Sequence, residues 1–201
     1  MRPVYVPDPA VDARVSARVD ELSALYQAGQ YAQARTLIER ILAEEPENAW
    51  SSTLRDWQRD LSVLGQPAPP LSVNEWVQGG PPSPKGTTLL VFFEAWCPHC
   101  QTEMPIVAKK SRDLGAAGLT VVGLTQQSRG VTSDELRSFL LASGASFAVG
   151  KEDGTTSAAY GVVGIPSMAV IRDGVLMFRG HPSLLSDEAL QQWLVEPLPP
   201  Q

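Results

Sequence analysis

The chain has 201 residues, 43% of them hydrophobic and 19% charged, with a net charge of −6, which is enough for one ordinary domain and a smaller appendage. The acidic balance, with no cluster of Lys or Arg, excludes a nucleic-acid surface, and no apolar run approaches the roughly 18 residues of a bilayer span. Met1-Arg2-Pro3-Val4-Tyr5-Val6-Pro7 has neither the apolar core nor the cleavage site of a secretory leader, so the chain is expected to be cytosolic or to have lost one.

In chain order, residues 11–64 predict three helices. The first, over 17–27, carries Leu22, Leu25 and Tyr26 at helical spacing and stops at Gly29. The second, over 31–44, lines up Ala34, Leu37, Ile38, Ile41 and Leu42 and closes before Pro46. A third starts at Glu47-Asn48 and shows Trp50, Leu54, Trp57, Leu61 and Leu64 at spacings of three and four. Residues 25–46 resemble a single tetratricopeptide unit, with the third helix as its cap; an ordinary three-helix appendage is the alternative. The 17 prolines cluster at 67–70, 81–84 and 197–200, which marks linkers and an irregular tail. Gly65-Gln66-Pro67-Ala68-Pro69-Pro70 is the expected boundary, dividing the chain into a helical segment, 1–64, and a second domain, 65–201.

Beyond the boundary, short apolar runs alternate with amphipathic stretches, the pattern of a β/α domain. Residues 88–93 predict a buried central strand, 98–114 a helix and 119–125 the next strand. A helix over 132–143 follows, capped by Thr132 or Ser133. Residues 146–149 predict a short strand and 154–160 a short helix or turn. Residues 167–171 and 175–179 pair as a hairpin across Arg172-Asp173-Gly174, and 186–195 form the closing helix.

Only two cysteines are present, and they stand together in Cys97-Pro98-His99-Cys100. A disulfide framework would need more of them, and a tetrahedral zinc site lacks ligands, since the two histidines are His99 and His181. The motif directly follows the buried strand and opens a helix. Pro98 suits the first helical position, and Cys97 then sits where free backbone N–H groups and the macrodipole favour a thiolate. Cys100, one turn inside, is the expected resolving thiol. His99 adds a donor near Cys97, and stabilising that thiolate would push the pair towards an oxidant. An inert buried pair or a pair of metal ligands is the alternative. Far downstream, Gly161-Val162-Val163-Gly164-Ile165-Pro166-Ser167 precedes a strand, and Pro166 fits a cis peptide after Ile165.

Trp96-Cys97-Pro98-His99-Cys100, the Gly-Ile-Pro-Ser segment and the terminal hairpin resemble the thioredoxin superfamily. The resemblance implies an α/β thioredoxin fold, a central mixed sheet flanked by helices, here preceded by a small all-α segment. It also implies that Pro166 packs against the cysteine pair while Ile165 and Trp96 face an extended polypeptide substrate. Gly65-Gln66-Pro67-Ala68-Pro69, Gln101-Thr102-Glu103-Met104-Pro105 and the long insert over 119–150 are similar to the TlpA/ResA-like branch of extracytoplasmic thiol–disulfide oxidoreductases. By that resemblance Glu103 is a candidate proton acceptor for Cys100, and the chain is periplasmic or otherwise extracytoplasmic with its leader removed. Its substrates would be protein thiols and disulfides, and a redox partner protein would recycle the pair. No metal or organic cofactor is implied.

The sequence departs from the pattern in three places. Val91 stands where thioredoxins carry a buried Asp, and Glu94 stands where the TlpA-like branch usually has a small residue. Glu94 is expected at the surface, at the edge of the site, with proton transfer the alternative if it points at the disulfide. The Pro98-His99 dipeptide matches the oxidising DsbA proteins, while the rest of the domain resembles a reductant branch. His181 is expected at the surface and Tyr160 in the core. Trp50, Trp57, Trp76 and Trp193 are expected to serve packing. Two other functions remain open at this point: a scaffold that docks partners through the N-terminal helices, and a peroxide reductase.

Overall fold

The computed structural model describes residues 8–27 and 30–195, so the expected stop at Gly29 and the tail over 197–200 lie outside the described residues. The chain divides into two compact units, with the division between Gln66 and Pro67.

The first unit holds α1 (Pro9–Gln27), α2 (Tyr31–Glu44) and α3 (Ser51–Leu61). The α1 helix begins eight residues before its expected start because Asp8 caps it. The Asp8 carboxylate accepts from the N–H groups of Ala10 at 2.9 Å and Val11 at 3.4 Å, and Pro9 occupies the first turn. The α3 helix starts four residues late for the opposite reason. Asn48 and Ser51 bond the local backbone (Asn48 N–H to Ser51 Oγ, 2.7 Å; Trp50 N–H to Asn48 Oδ1, 2.7 Å), and this turn competes with a helical one. Val15, Leu22, Ala34, Ile38, Ile41 and Leu54 are buried. Ion pairs Arg14–Glu45 (2.7 Å) and Arg18–Glu44 (2.6 Å) tie α1 to the end of α2.

The second unit is a six-stranded mixed sheet in the order β1-β4-β3-β2-β5-β6, formed by β1 (Glu75–Gln78), β2 (Thr87–Phe92), β3 (Leu119–Thr125), β4 (Ala148–Lys151), β5 (Ser167–Arg172) and β6 (Val175–Gly180). Helices α4 (Pro98–Gly115), α5 (Ser133–Ala142) and α6 (Thr155–Ala159) connect β2 through β5, and α7 (Asp187–Val195) closes the chain. Every residue of β2 is buried, Thr87 and Thr88 as well as the apolar residues 89–92, as a central strand requires. It pairs parallel with β3 and antiparallel with β5. Gly123 on β3 is a packing glycine, because a Cβ there would lie 2.9 Å from Phe93 Cε1 and 3.2 Å from Val149 Cγ2.

Thr132 is the cap of α5: its hydroxyl accepts from Glu135 N–H at 3.2 Å, and Glu135 Oε2 accepts from Thr132 N–H at 2.8 Å, a complete capping box. The β5–β6 hairpin turns on Asp173 (φ 48°) and Gly174 (φ 81°), as the Asp-Gly pair predicts. The fourth strand lies two residues later than expected, on 148–151, and β1 was not expected at all. Trp76 and Val77 give β1 its strand character, but four residues carry too little periodicity to be read. Tyr160 is buried, its ring 5.7 Å from Phe92 and its hydroxyl donating to Pro69 O at 2.8 Å.

Candidate active site

The β2–β5 register assembles the site. Phe92, the last residue of β2, lies opposite Ser167, the first residue of β5, so the Ile165–Pro166 peptide is delivered to the turn that follows β2. That peptide is cis. In the turn, Glu94 O accepts from Cys97 N–H at 3.1 Å, and Cys97 adopts an extended conformation (φ −83°, ψ 119°) as the residue that caps α4, with Pro98 entering the helix. Cys97 therefore stands at the N-terminus of α4, where the first-turn N–H groups lack partners within the helix. Its thiol donates to Ile165 O at 3.9 Å, so the cysteine and the proline segment meet.

Both cysteines are free thiols. Cys97 is 5% exposed and Cys100 is 0% exposed, which orders them from rim to floor. Cys100 shares the buried stripe of α4 with Met104, Val107 and Ala108. Burial pushes the Cys100 thiol up to about 12. The Glu94 backbone N–H opposes that shift, while the bond to Cys97 and the charges of Cys97 and Glu94 reinforce it.

Pro98 and His99 are exposed on the first turn of α4, and Trp96 is half-buried beside Cys97. Glu103 is half-buried, three residues along α4 from Cys100. His181 is exposed, and its Nδ1 accepts from Ser183 N–H at 3.2 Å, which makes it the cap of a short 3-10 turn.

Glu94 is not at the surface: it is 6% exposed, and its carboxylate turns inward to two backbone donors. Gln126 N–H reaches Oε1 and Ser128 N–H reaches Oε2, each at 2.9 Å. The expectation of an edge-of-site surface residue failed because a charge can be buried where backbone amides receive it. A second buried carboxylate, Glu152, was not singled out in the sequence. Its Oε2 accepts from the N–H groups of Gly154 (3.1 Å), Thr156 (2.9 Å) and Ser157 (3.2 Å), its Oε1 takes the Ser157 hydroxyl, and it thereby caps α6. Glu152, two residues before Gly154 and a run of Thr and Ser, was the available signal.

Ser128 and Arg129 also reach the site from the segment between β3 and α5. Trp96 Nε1 donates to Ser128 Oγ at 3.0 Å, and Arg129 Cζ stacks 3.5 Å from the centroid of the Trp96 ring. No local pattern marks either residue. A cavity of about 280 Å³ opens here, with Phe93, Glu94, Trp96, Ser128, Glu152 and Ile165 among its walls.

A helix capped by one cysteine, a second buried a turn below and a cis-proline loop against the first define a thioredoxin-like protein. Solved structures similar to this chain include a thiol–disulfide isomerase from Corynebacterium glutamicum (24% identity, TM-score 0.54, covering 64% of this chain and 93% of that one). Another is a thioredoxin-like superfamily protein (24% identity, TM-score 0.54, 66% and 98%). Residues 64–178, more than half of the sequence, match the AhpC/TSA family, and the chain belongs to it. It is also 31% identical over 77 residues to protein FixW of Rhizobium leguminosarum; the match takes in 37% of this chain and only 35% of that protein. Among the described residues no helix is long and apolar enough to cross a membrane, and no group of three or more His, Cys, Asp or Glu could hold a metal ion.

Proposed function

We propose that the chain is a thiol–disulfide oxidoreductase that exchanges disulfides with polypeptides through Cys97 and Cys100. The observation that carries this is the order of the two free thiols: Cys97 at the rim against Ile165 O, Cys100 fully buried beneath it. In the reducing direction the Cys97 thiolate attacks one sulfur of a substrate disulfide, forming a mixed disulfide and releasing the other sulfur as a thiolate. Cys100 gives up its proton and attacks the Cys97 sulfur. The mixed disulfide breaks, Cys97–Cys100 forms, the second substrate thiolate leaves, and two electrons have passed to the substrate. The oxidising direction is the reverse.

By the resemblance to the TlpA/ResA-like branch, Glu103, half-buried three residues along α4, is the candidate acceptor for the Cys100 proton. Trp96, Ile165 and Pro166 form the substrate groove, and Pro98 and His99 set the dipeptide between the cysteines. The AhpC/TSA match favours a peroxide substrate as a second reading, in which Cys97 would be oxidised by the peroxide and Cys100 would close the disulfide. The extracytoplasmic location and the recycling redox partner follow from the resemblance to the TlpA/ResA-like branch.

The test is a pair of variants. Cys97→Ser is expected to lose exchange with a peptide disulfide, whereas Cys100→Ser is expected to accumulate a mixed disulfide visible by mass. Exchange surviving in Cys97→Ser would overturn the assignment. Consumption of hydrogen peroxide, without peptide exchange, would favour the second reading.

A further inference from the structure

The buried Glu94 carboxylate spends both of its oxygens on backbone donors. It hangs from the turn that carries Cys97 and reaches across to the segment between β3 and α5, where it receives Gln126 N–H and Ser128 N–H at 2.9 Å. The residues around those two amides have an unusual backbone: Gln127 (φ 51°) and Arg129 (φ 57°) are both left-handed without being glycine. Such residues are uncommon and persist where the surroundings over-determine them. Here the surroundings are identifiable. Gln127 N–H bonds Thr125 Oγ1 at 3.0 Å and its side-chain amide bonds Val131 O at 2.6 Å, while the carboxylate fixes the amides on either side. The product of this folding is a wall beside Cys97, with Ser128 Oγ holding the Trp96 indole and the Arg129 guanidinium lying on the same ring.

We propose that Glu94 is a positioning residue: its buried carboxylate ties residues 126–128 to the Cys97 turn, and the Trp96–Ser128–Arg129 wall so held selects polypeptide disulfides over small ones. The inference rests on the redox reading given above. Ile165, Trp96 and Ser128 line one cavity, so a polypeptide lying along Ile165 meets the wall. A small disulfide needs only the Cys97 sulfur.

The experiment uses the whole chain, with Glu94→Ala and Glu94→Gln beside the wild type. Amide hydrogen exchange reads the tether, and the ratio of exchange rates with a cysteine-bridged peptide and with hydroxyethyl disulfide reads its consequence. That ratio cancels any effect the substitution has on the thiols themselves. In Glu94→Ala the amides of Gln126 and Ser128 are expected to lose roughly tenfold or more of their protection, with those of β2 retained. The peptide-to-small ratio should fall roughly tenfold, the scale of a misplaced contact surface. In Glu94→Gln, which keeps one acceptor oxygen, only one of the two amides should lose protection and the ratio should fall less.

Retained protection in both variants would overturn the tether, and lost protection with an unchanged ratio would overturn the selectivity. If Glu94→Ala does not fold, the Gln variant decides by the same two readouts. A wild type inert with both disulfides would instead refute the redox reading, and amide exchange alone would then judge the tether.

Discussion

Removing the Glu152 carboxylate should cost stability in the second unit by an amount the geometry bounds. One oxygen receives three backbone N–H groups, those of Gly154, Thr156 and Ser157, and the residue is 5% exposed. Hydrogen bonds to a charged group are each worth about 1.5–3 kcal/mol, but the three do not add. Gly154 and Ser157 are half-buried, so water replaces part of what they lose; Thr156 is 0% exposed and has no such recourse. Losing the carboxylate also relieves the penalty for burying a charge. The expected net loss for Glu152→Ala is therefore about 2–4 kcal/mol, and about 1–2 kcal/mol for Glu152→Gln, which keeps an acceptor. Hydrogen exchange at β2 and β5 across a urea series reports this unit alone and gives the difference directly. Because α6 leads into the Ile165 segment, peptide exchange should slow along with it. A loss below about 0.5 kcal/mol in the Ala variant, or equal losses in both, would refute the capping argument.

Two further outcomes follow from the packing. The buried Cys100 keeps its proton to about 12 in the folded, reduced chain, against 9.0 for the ordinary thiol. Above pH ~9 the unfolded chain binds fewer protons than the folded one, so this contribution is fully present below that pH and is lost as pH rises towards about 12, at up to ~1.4 kcal/mol per pH unit. Urea unfolding of reduced wild type and reduced Cys100→Ser between pH 8 and 11 should show the steeper fall in the wild type, and parallel curves would contradict it. Tyr31 and Tyr160, whose burial also raises them, are common to both proteins and cancel. Gly123→Ala, which forces a methyl group to 2.9 Å from Phe93, should cost about 1–3 kcal/mol in the same urea assay, and an unchanged midpoint would mean that Phe93 does not lie over β3.

Much of the second unit was legible because its signals are local and strong. The apolar run of β2, the limits of β3, the Thr132 cap and the Asp173-Gly174 turn each rest on a few neighbouring residues. Cys97 and Cys100 were readable as a pair because a buried strand precedes them and Pro98 opens a helix. What escaped depends on distant backbone. Nothing near Glu94 in the chain tells of amides 32 and 34 positions away that bury it. The Trp96–Arg129 stack likewise exists only once β2 and β3 lie side by side. Edge strand β1 pairs only with β4, which is also short, so neither carried a period long enough to place it.

Equilibration of the chain with graded glutathione ratios tests the central claim most directly, with Cys97 and Cys100 scored by alkylation and mass. The account predicts one reversible two-electron transition that interconverts a dithiol and a Cys97–Cys100 disulfide, with a midpoint between roughly −120 and −270 mV that assigns the direction. Two cysteines that stay reduced at every ratio, or that acquire glutathione without forming the internal disulfide, would contradict it.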